Sequence, residues 1–217
     1  MLLEVTRITV PPGQTVVLEN INWEELETIL QDWGESRGSR IAYDNGKLEI
    51  MTPLPEHEVN KVYLSNFIEI LLEELDREFC PLGSTTFRNQ AMLKGIEPDS
   101  CFYIQHEAAV RGKSRLDLTQ DPPPDLALEI DITHRSHPEI YQALGVPELW
   151  QYEQGKLKFL LLVDGKYVQS ATSANFPNFL LLEVIPQYLA QCRTEGRNKG
   201  IKAFRSWVKE QISDFSV

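Results

Sequence analysis

The chain has 217 residues, 42% of them hydrophobic and 24% charged, which is enough apolar material for one domain with extensions and too much for global disorder. A formal net charge of −11 argues against a protein that coats nucleic acid through bulk positive charge, yet an acidic metal site with a local basic rim is compatible with it. No run reaches the roughly 18 consecutive apolar residues of a membrane helix, and the start carries Glu4 and Arg7 in an alternating pattern unlike a signal peptide, so the expected location is the cytoplasm, with no membrane partner.

In chain order, residues 15–20 read as a short strand. Asn22 then caps a helix, with Glu25 in the capping-box position and Trp23, Leu26, Ile29, Leu30 and Trp33 at helical spacing. Gly34 and Gly38 break it. Two strand-like runs, 40–43 and Lys47–Met51, flank Asp44-Asn45-Gly46, a hairpin signal. After Pro53 and Pro55 the pattern predicts a long helix over about 56–79, apolar on more than one face and so packed against a sheet. Strand-like segments follow at 84–93 and 96–104. A loop then carries Arg111, Lys113 and Arg115, and Pro122-Pro123-Pro124 stops it. Residues 125–133 alternate, with Leu126, Leu128, Ile130 and Ile132 on one face and Asp125, Ala127, Glu129, Asp131 and Thr133 on the other. A short helix, Pro138–Leu144, ends at Gly145. A strand at Glu148–Glu153, a hairpin across Asp164-Gly165 and C-terminal helices complete a mixed α/β (α+β) order. Cys80, Cys101 and Cys192 have no paired spacing and read as buried thiols.

The acids carry the chemistry. Asp99 opens one strand in Glu97-Pro98-Asp99, and Glu129 and Asp131 share one face of another. Carboxylates meeting across neighbouring strands hold Mg²⁺ or Mn²⁺, hard cations that want oxygen ligands, with the backbone carbonyl of Ile130 as a further donor. The competing reading is a solvated acidic face of an antiparallel sheet. Two carboxylates on a strand flanked by apolar segments are costly unless something pairs with them, which favours the metal.

Pro98-Asp99, then Pro124-Asp125-Leu126-Ala127-Leu128-Glu129-Ile130, then Tyr141 and Gly145-Val146-Pro147-Glu148-Leu149-Trp150 resemble the bacterial Uma-type family within the PD-(D/E)XK, restriction-endonuclease-like superfamily. The hairpin ending Asn45-Gly46-Lys47-Leu48-Glu49-Ile50 and the Glu56-His57 helix opening match as well, so the resemblance spans about Trp23 to Trp207. It implies a restriction-endonuclease-like core, a central mixed sheet flanked by helices, with an N-terminal helix and hairpin extension. One domain over 1–217 is expected, divided as an extension at 1–54, a nuclease core at 55–160, and a hairpin with C-terminal helices at 161–217. It implies a Mg²⁺- or Mn²⁺-dependent DNA endonuclease with Asp99 and Glu129 as metal ligands and Asp131 beside them, acting as a homodimer, since nucleases of this fold often cut two strands with two subunits.

The chain departs from the pattern at the lysine expected two residues after the acid, where it has Asp131. In many members the lysine stands instead about one turn before the tyrosine, a place that falls on His137. His137, with His134 or Arg135 as alternatives, is therefore the expected substitute. Glu58, at the start of the long helix, is a further candidate acid beside the reading as an ordinary first-turn Glu. Arg111, Lys113 and Arg115 are the candidate DNA contacts; Arg193, Arg197, Lys199, Lys202, Arg205 and Lys209 form a second basic group or a solvated helix face. Trp150, Tyr152 and Tyr141 read as core aromatics more readily than as a base-stacking platform. The rival expectations are a catalytically degenerate fold that binds nucleic acid or protein, and an interaction protein without metal.

Overall fold

A computed structural model describes residues 8–34, 38–131 and 137–215, without the side chains of Asp131 and Phe215. Strand β1 (Thr15–Leu18) leads to helix α1 (Trp23–Trp33), whose capping box forms as expected: Asn22 Oδ1 accepts from Glu25 N and Glu25 Oε2 from Asn22 N. The hairpin is β2 (Arg40–Asp44) and β3 (Lys47–Met51). Asn45 and Gly46 both take positive φ, 47° and 92°, as a two-residue turn matched to strand twist requires.

Helix α2 (Pro55–Glu74) stops short of the expected residue 79. Asp76 turns left-handed at φ 52°, and its N–H donates to Glu73 O while Arg77 N–H donates to Leu72 O, a closing pair that ends a helix firmly. In place of the two strand-like segments expected at 84–93 and 96–104, the chain forms four short strands, the first of them before residue 84. These are β4 (Cys80–Pro81), β5 (Phe87–Asn89), β6 (Lys94–Ile96) and β7 (Ser100–Tyr103), with a 3-10 turn at Gln90–Met92. Then come α3 (Glu107–Val110), β8 (Leu126–Asp131), α4 (Pro138–Leu144), β9 (Glu148–Glu153), β10 (Lys156–Val163), β11 (Lys166–Ser170), α5 (Leu181–Glu195) and α6 (Arg197–Phe215).

The strands form two sheets. One is five-stranded and antiparallel, in the order β1-β3-β2-β6-β5; the other is six-stranded and mixed, in the order β11-β10-β9-β8-β7-β4. In the mixed sheet β8 runs antiparallel to β7 and parallel to β9. Parallel neighbours need a crossover, and α4 lies on that connection.

Strand β8 is buried on both faces. Leu126, Leu128 and Ile130 pack with Leu64, Phe67 and Leu71 of α2 and with Phe204 of α6. Ala127, on the opposite face, packs with Cys101, Leu149 and Ile140, Tyr141 and Leu144 of α4. The face that carries Glu129 is therefore no solvated face; α4 and the five-stranded sheet cover it. A third cluster joins α1 to the hairpin through Leu26, Ile29, Tyr43, Leu48 and Ile50.

Candidate functional site

Strands β7 and β8 pair with Ser100 opposite Leu128, and the register continued by one residue sets Asp99 opposite Glu129. Directly opposed residues of an antiparallel pair project from the same face. Asp99 is 2% exposed, and its Oδ2 accepts from Ile130 N at 2.7 Å. The backbone at Ile130 thus meets the Asp99 carboxylate through its N–H. Glu129 accepts a hydrogen bond from the hydroxyl of Tyr141, which α4 delivers from above the sheet. Burial above all, then the charge of Glu129 and its hydrogen bond, then Asp99, raise the Tyr141 hydroxyl well above its ordinary range, so it remains a donor.

His57 reaches the same place from the first turn of α2, with Nε2 3.0 Å from Asp99 Oδ2. Burial lowers its proton affinity, but Asp99 and Glu58 outweigh that and lift it to about 9. Neither ring nitrogen has a hydrogen-bonding alignment with a partner among the described residues, so charge rather than a directed bond joins the pair. Glu58 next to it accepts from Lys61 Nζ at 2.9 Å and stands 3.5 Å from Arg40 Nη2. His57, outweighing the opposing effect of burial with help from Lys61 and Arg40, holds the Glu58 carboxyl at about 2.

A pocket of about 60 Å³ opens between the two sheets, and Glu129, Glu97 and His137 line it together with Arg40, Glu49 and Thr15. Glu97 accepts from Ile41 N at 3.3 Å and from the Thr86 hydroxyl. His137 caps α4; its Nε2 lies 2.8 Å from Glu49 Oε2 and its Nδ1 3.1 Å from Glu139 Oε1. Burial raises the Glu49 carboxyl, but Lys47 and His137 lower it by more.

Asp99, Glu129 and the backbone of Ile130 thus come together, and His137 shares the pocket of Glu129. Asp131 ends β8 opposite Glu153 of β9, while its side chain, His134 and Arg135 lie outside the described residues. Among the described residues no group of three or more His, Cys, Asp or Glu side chains could hold a metal ion by itself, so the acids here are a facing pair and not a closed cage.

The basic candidates are largely engaged. Arg111 binds Glu107 through Nε at 2.7 Å and Nη2 at 2.5 Å, Lys113 pairs with Asp121, and Arg115 is exposed. Along α5 and α6, Arg193 bonds Asn60, Arg197 bonds Asn66, and Arg205 bonds Glu73 and Glu74, so these residues face α2. Trp150 and Tyr152 are core residues, 0% and 6% exposed. Sequence reasoning missed His57 as the neighbour of Asp99 and Tyr141 as the donor to Glu129. His57 carried a signal, standing in the first turn of a helix that begins at Pro55, and Tyr141 stood inside the stretch that carries the resemblance.

The model of the family Uma2, described as "Putative restriction endonuclease", matches residues 23–192. The chain belongs to the Uma2 family. The Uma2 match takes in His57, Asp99, Glu129, His137 and Tyr141, and leaves β1 and α6 outside. One similar solved structure is described as a "putative nuclease belonging to DUF820 from Anabaena variabilis ATCC 29413"; it is 13% identical, with a TM-score of 0.46 over 77% of this chain and 90% of that one. Among curated proteins none matches. This Uma2 chain has a mixed α/β fold, and no helix among the described residues is long and apolar enough to cross a membrane.

Proposed function

We propose that the protein is a divalent-metal-dependent DNA endonuclease that hydrolyses a phosphodiester bond. The observation that carries this reading is that Asp99 and Glu129 face each other one residue beyond the β7–β8 ladder, a buried and a half-buried carboxylate side by side, an arrangement of like charges that a divalent cation stabilises. The residues fit Mg²⁺ or Mn²⁺: two carboxylates are a usual protein share for such an ion, and His57 Nε2, 3.0 Å from Asp99 Oδ2, holds that carboxylate from the first turn of α2. The ion supplies charge against the phosphoryl group and acidifies a water. Asp99 is held in place by Ile130 N–H, and Glu129 by the Tyr141 hydroxyl. His137 stands where the family count puts the lysine. Its Nδ1 faces Glu139 and its Nε2 faces Glu49, contacts that hold the ring in the pocket it shares with Glu129. Asp131 follows Glu129 by two residues in the sequence and takes part beside it. Arg115, with Arg111 and Lys113 once their acids exchange them, meets DNA phosphate farther out. The working form is a cytoplasmic homodimer, with residues 1–217 as one domain.

Cleavage of plasmid and linear DNA in Mg²⁺ or Mn²⁺ tests this. The parent should cut, EDTA should stop it, and Asp99→Asn and Glu129→Gln should each be inactive while still folded. His137→Ala should lower the rate by about 10²-fold, and His137→Lys should keep or raise it. Activity unchanged in Asp99→Asn would remove the site. One observation favours a second reading, a nuclease fold that binds without cutting: Asp131 stands at the lysine position, and no lysine lies between it and Tyr141. Metal binding without cleavage in the parent, and cleavage in His137→Lys, would establish that reading instead.

A further inference from the structure

The five-stranded sheet forms one wall of the pocket that holds Glu129. Thr15 of β1 and Arg40 of β2 each stand opposite Met51 of β3, so the three form one row across the sheet, and all three line the pocket. In the next row Ala42 stands opposite Glu49 and Ile96, and these line the pocket too. The hairpin and β1 are therefore part of the site and not an appendage to it.

This wall is short of acceptors. Thr15 Oγ1 and Arg40 Nε are buried and have no hydrogen-bond partner among the described residues. A buried donor left unsatisfied is destabilising, more so when charged, and two of them on one row point to a missing acceptor. The acids nearby are already committed. Glu49 is engaged by Lys47 and His137, and Glu97 by Ile41 N–H and the Thr86 hydroxyl. The Arg40 guanidinium touches Glu58 at 3.5 Å, a long contact, while Glu58 holds Lys61 at 2.9 Å. Arg40 is thus a cation with donor capacity to spare, facing a pocket whose other side carries Glu129.

We infer that Thr15 and Arg40 bind a phosphate oxygen of the substrate strand, and that the five-stranded sheet thereby positions the nucleic-acid backbone against Asp99 and Glu129. This rests on the reading of that pair as the metal site of a nuclease. A guanidinium suits the role, since it presents several fixed donors to a phosphate and stays charged. It also supplies, from the opposite wall, a positive charge that position 131 lacks. The hydroxyl of Thr15 adds direction without charge. Because the pocket is otherwise acidic, the strand binds only after a cation has neutralised Asp99 and Glu129.

The test measures two quantities on the full-length protein: affinity for Mn²⁺ by calorimetry, and affinity for a short fluorescent DNA oligonucleotide by anisotropy in Ca²⁺ across a salt series. Arg40→Ala should weaken the oligonucleotide by about tenfold or more and reduce the salt slope by about 1, with Mn²⁺ affinity unchanged. Arg40→Lys should restore the slope but only part of the affinity. Thr15→Val, nearly the same shape, should weaken binding by about two- to fivefold with the slope unchanged. Oligonucleotide affinity and slope equal to the parent's in Arg40→Ala would overturn the assignment; should that variant not fold, parental binding in both Arg40→Lys and Thr15→Val would do so. Inorganic phosphate is the second probe, and loss of phosphate binding in Arg40→Ala with the oligonucleotide unaffected would overturn the backbone-phosphate assignment in favour of a free anion. A parent that binds Mn²⁺ but no oligonucleotide defeats this inference alone, whereas a parent that binds no metal defeats the nuclease reading beneath it.

Discussion

Glu58 and His57 are adjacent in sequence and titrate in opposite directions because each is the other's counter-charge. His57 gains from two acids more than it loses to burial. Glu58 gains from His57, Lys61 and Arg40, and falls to about 2 from an ordinary 4.5. A carboxyl whose folded value is depressed contributes stability that is present above pH 4.5 and lost as the pH falls toward 2. Glu58→Gln should therefore melt below the parent at neutral pH, with the gap closing through that acidic window; melting followed by circular dichroism against pH reads it. The side chain is 40% exposed, so about 1 M salt should shrink the gap as well. A gap that does not vary with pH would mean that the charge of Glu58 does not stabilise the fold. Tyr141 is held in the donor state by its own burial first and then by the Glu129 carboxylate it serves.

Helices α5 and α6 meet where Gly200 lies against Cys192. A Cβ placed on Gly200 would stand 2.4 Å from Cys192 Sγ and 2.9 Å from its backbone N. Alanine in place of a helical glycine normally gains up to about 1 kcal/mol in propensity. Here the backbone of α5 cannot yield as a flexible side chain would, so overpacking should win and Gly200→Ala should lose about 1–3 kcal/mol. Urea unfolding measures this, and a stabilised variant would show that the two helices separate readily. Helix α2 matters in a different way. Its first turn carries His57 to the site, its middle packs Leu64, Phe67 and Leu71 under β8, and its outer side receives Arg193, Arg197 and Arg205. Arg193, Arg197 and Arg205 are thus spent on joining helices. The sequence pattern alone left them equally readable as a DNA-binding face, because helical spacing identifies a face but not what lies against it.

Across the whole molecule a net charge of −11 opposes DNA, and the buried acids concentrate that opposition at the site. On the proposed reading a divalent cation would relieve it locally. A ligand that binds only the folded state at about 100 times its dissociation constant adds about 2.7 kcal/mol, which for a chain of 217 residues is a rise in Tm of about 5–10 °C. Thermal melts in Mg²⁺ or Mn²⁺ should show such a rise, and Asp99→Asn should remove most of it. A rise that survives that substitution would place the ion elsewhere. The oligonucleotide should bind weakly or not at all in EDTA, for the same electrostatic reason.

Local periodicity determined a good part of this. The capping box at Asn22, the turn at Asn45-Gly46 and the alternation of β8 each follow from a few consecutive residues, and each stands in the fold as the pattern implies. So does the shared face of Ala127 and Glu129, because side-chain direction in a strand depends on that strand alone. The opposition of Asp99 to Glu129 was a guess from two acids in two segments until the register of β7 against β8 decided it. Burial of the Glu129 face was not legible either; it depends on α4 folding back over the sheet and on the five-stranded sheet closing the other side. Thr15, Arg40, Glu129 and His137 come from β1, β2, β8 and the start of α4, and nothing in their spacing announces a common pocket. Their meeting is a property of long-range pairing and packing, which the chain specifies only when it is folded as a whole.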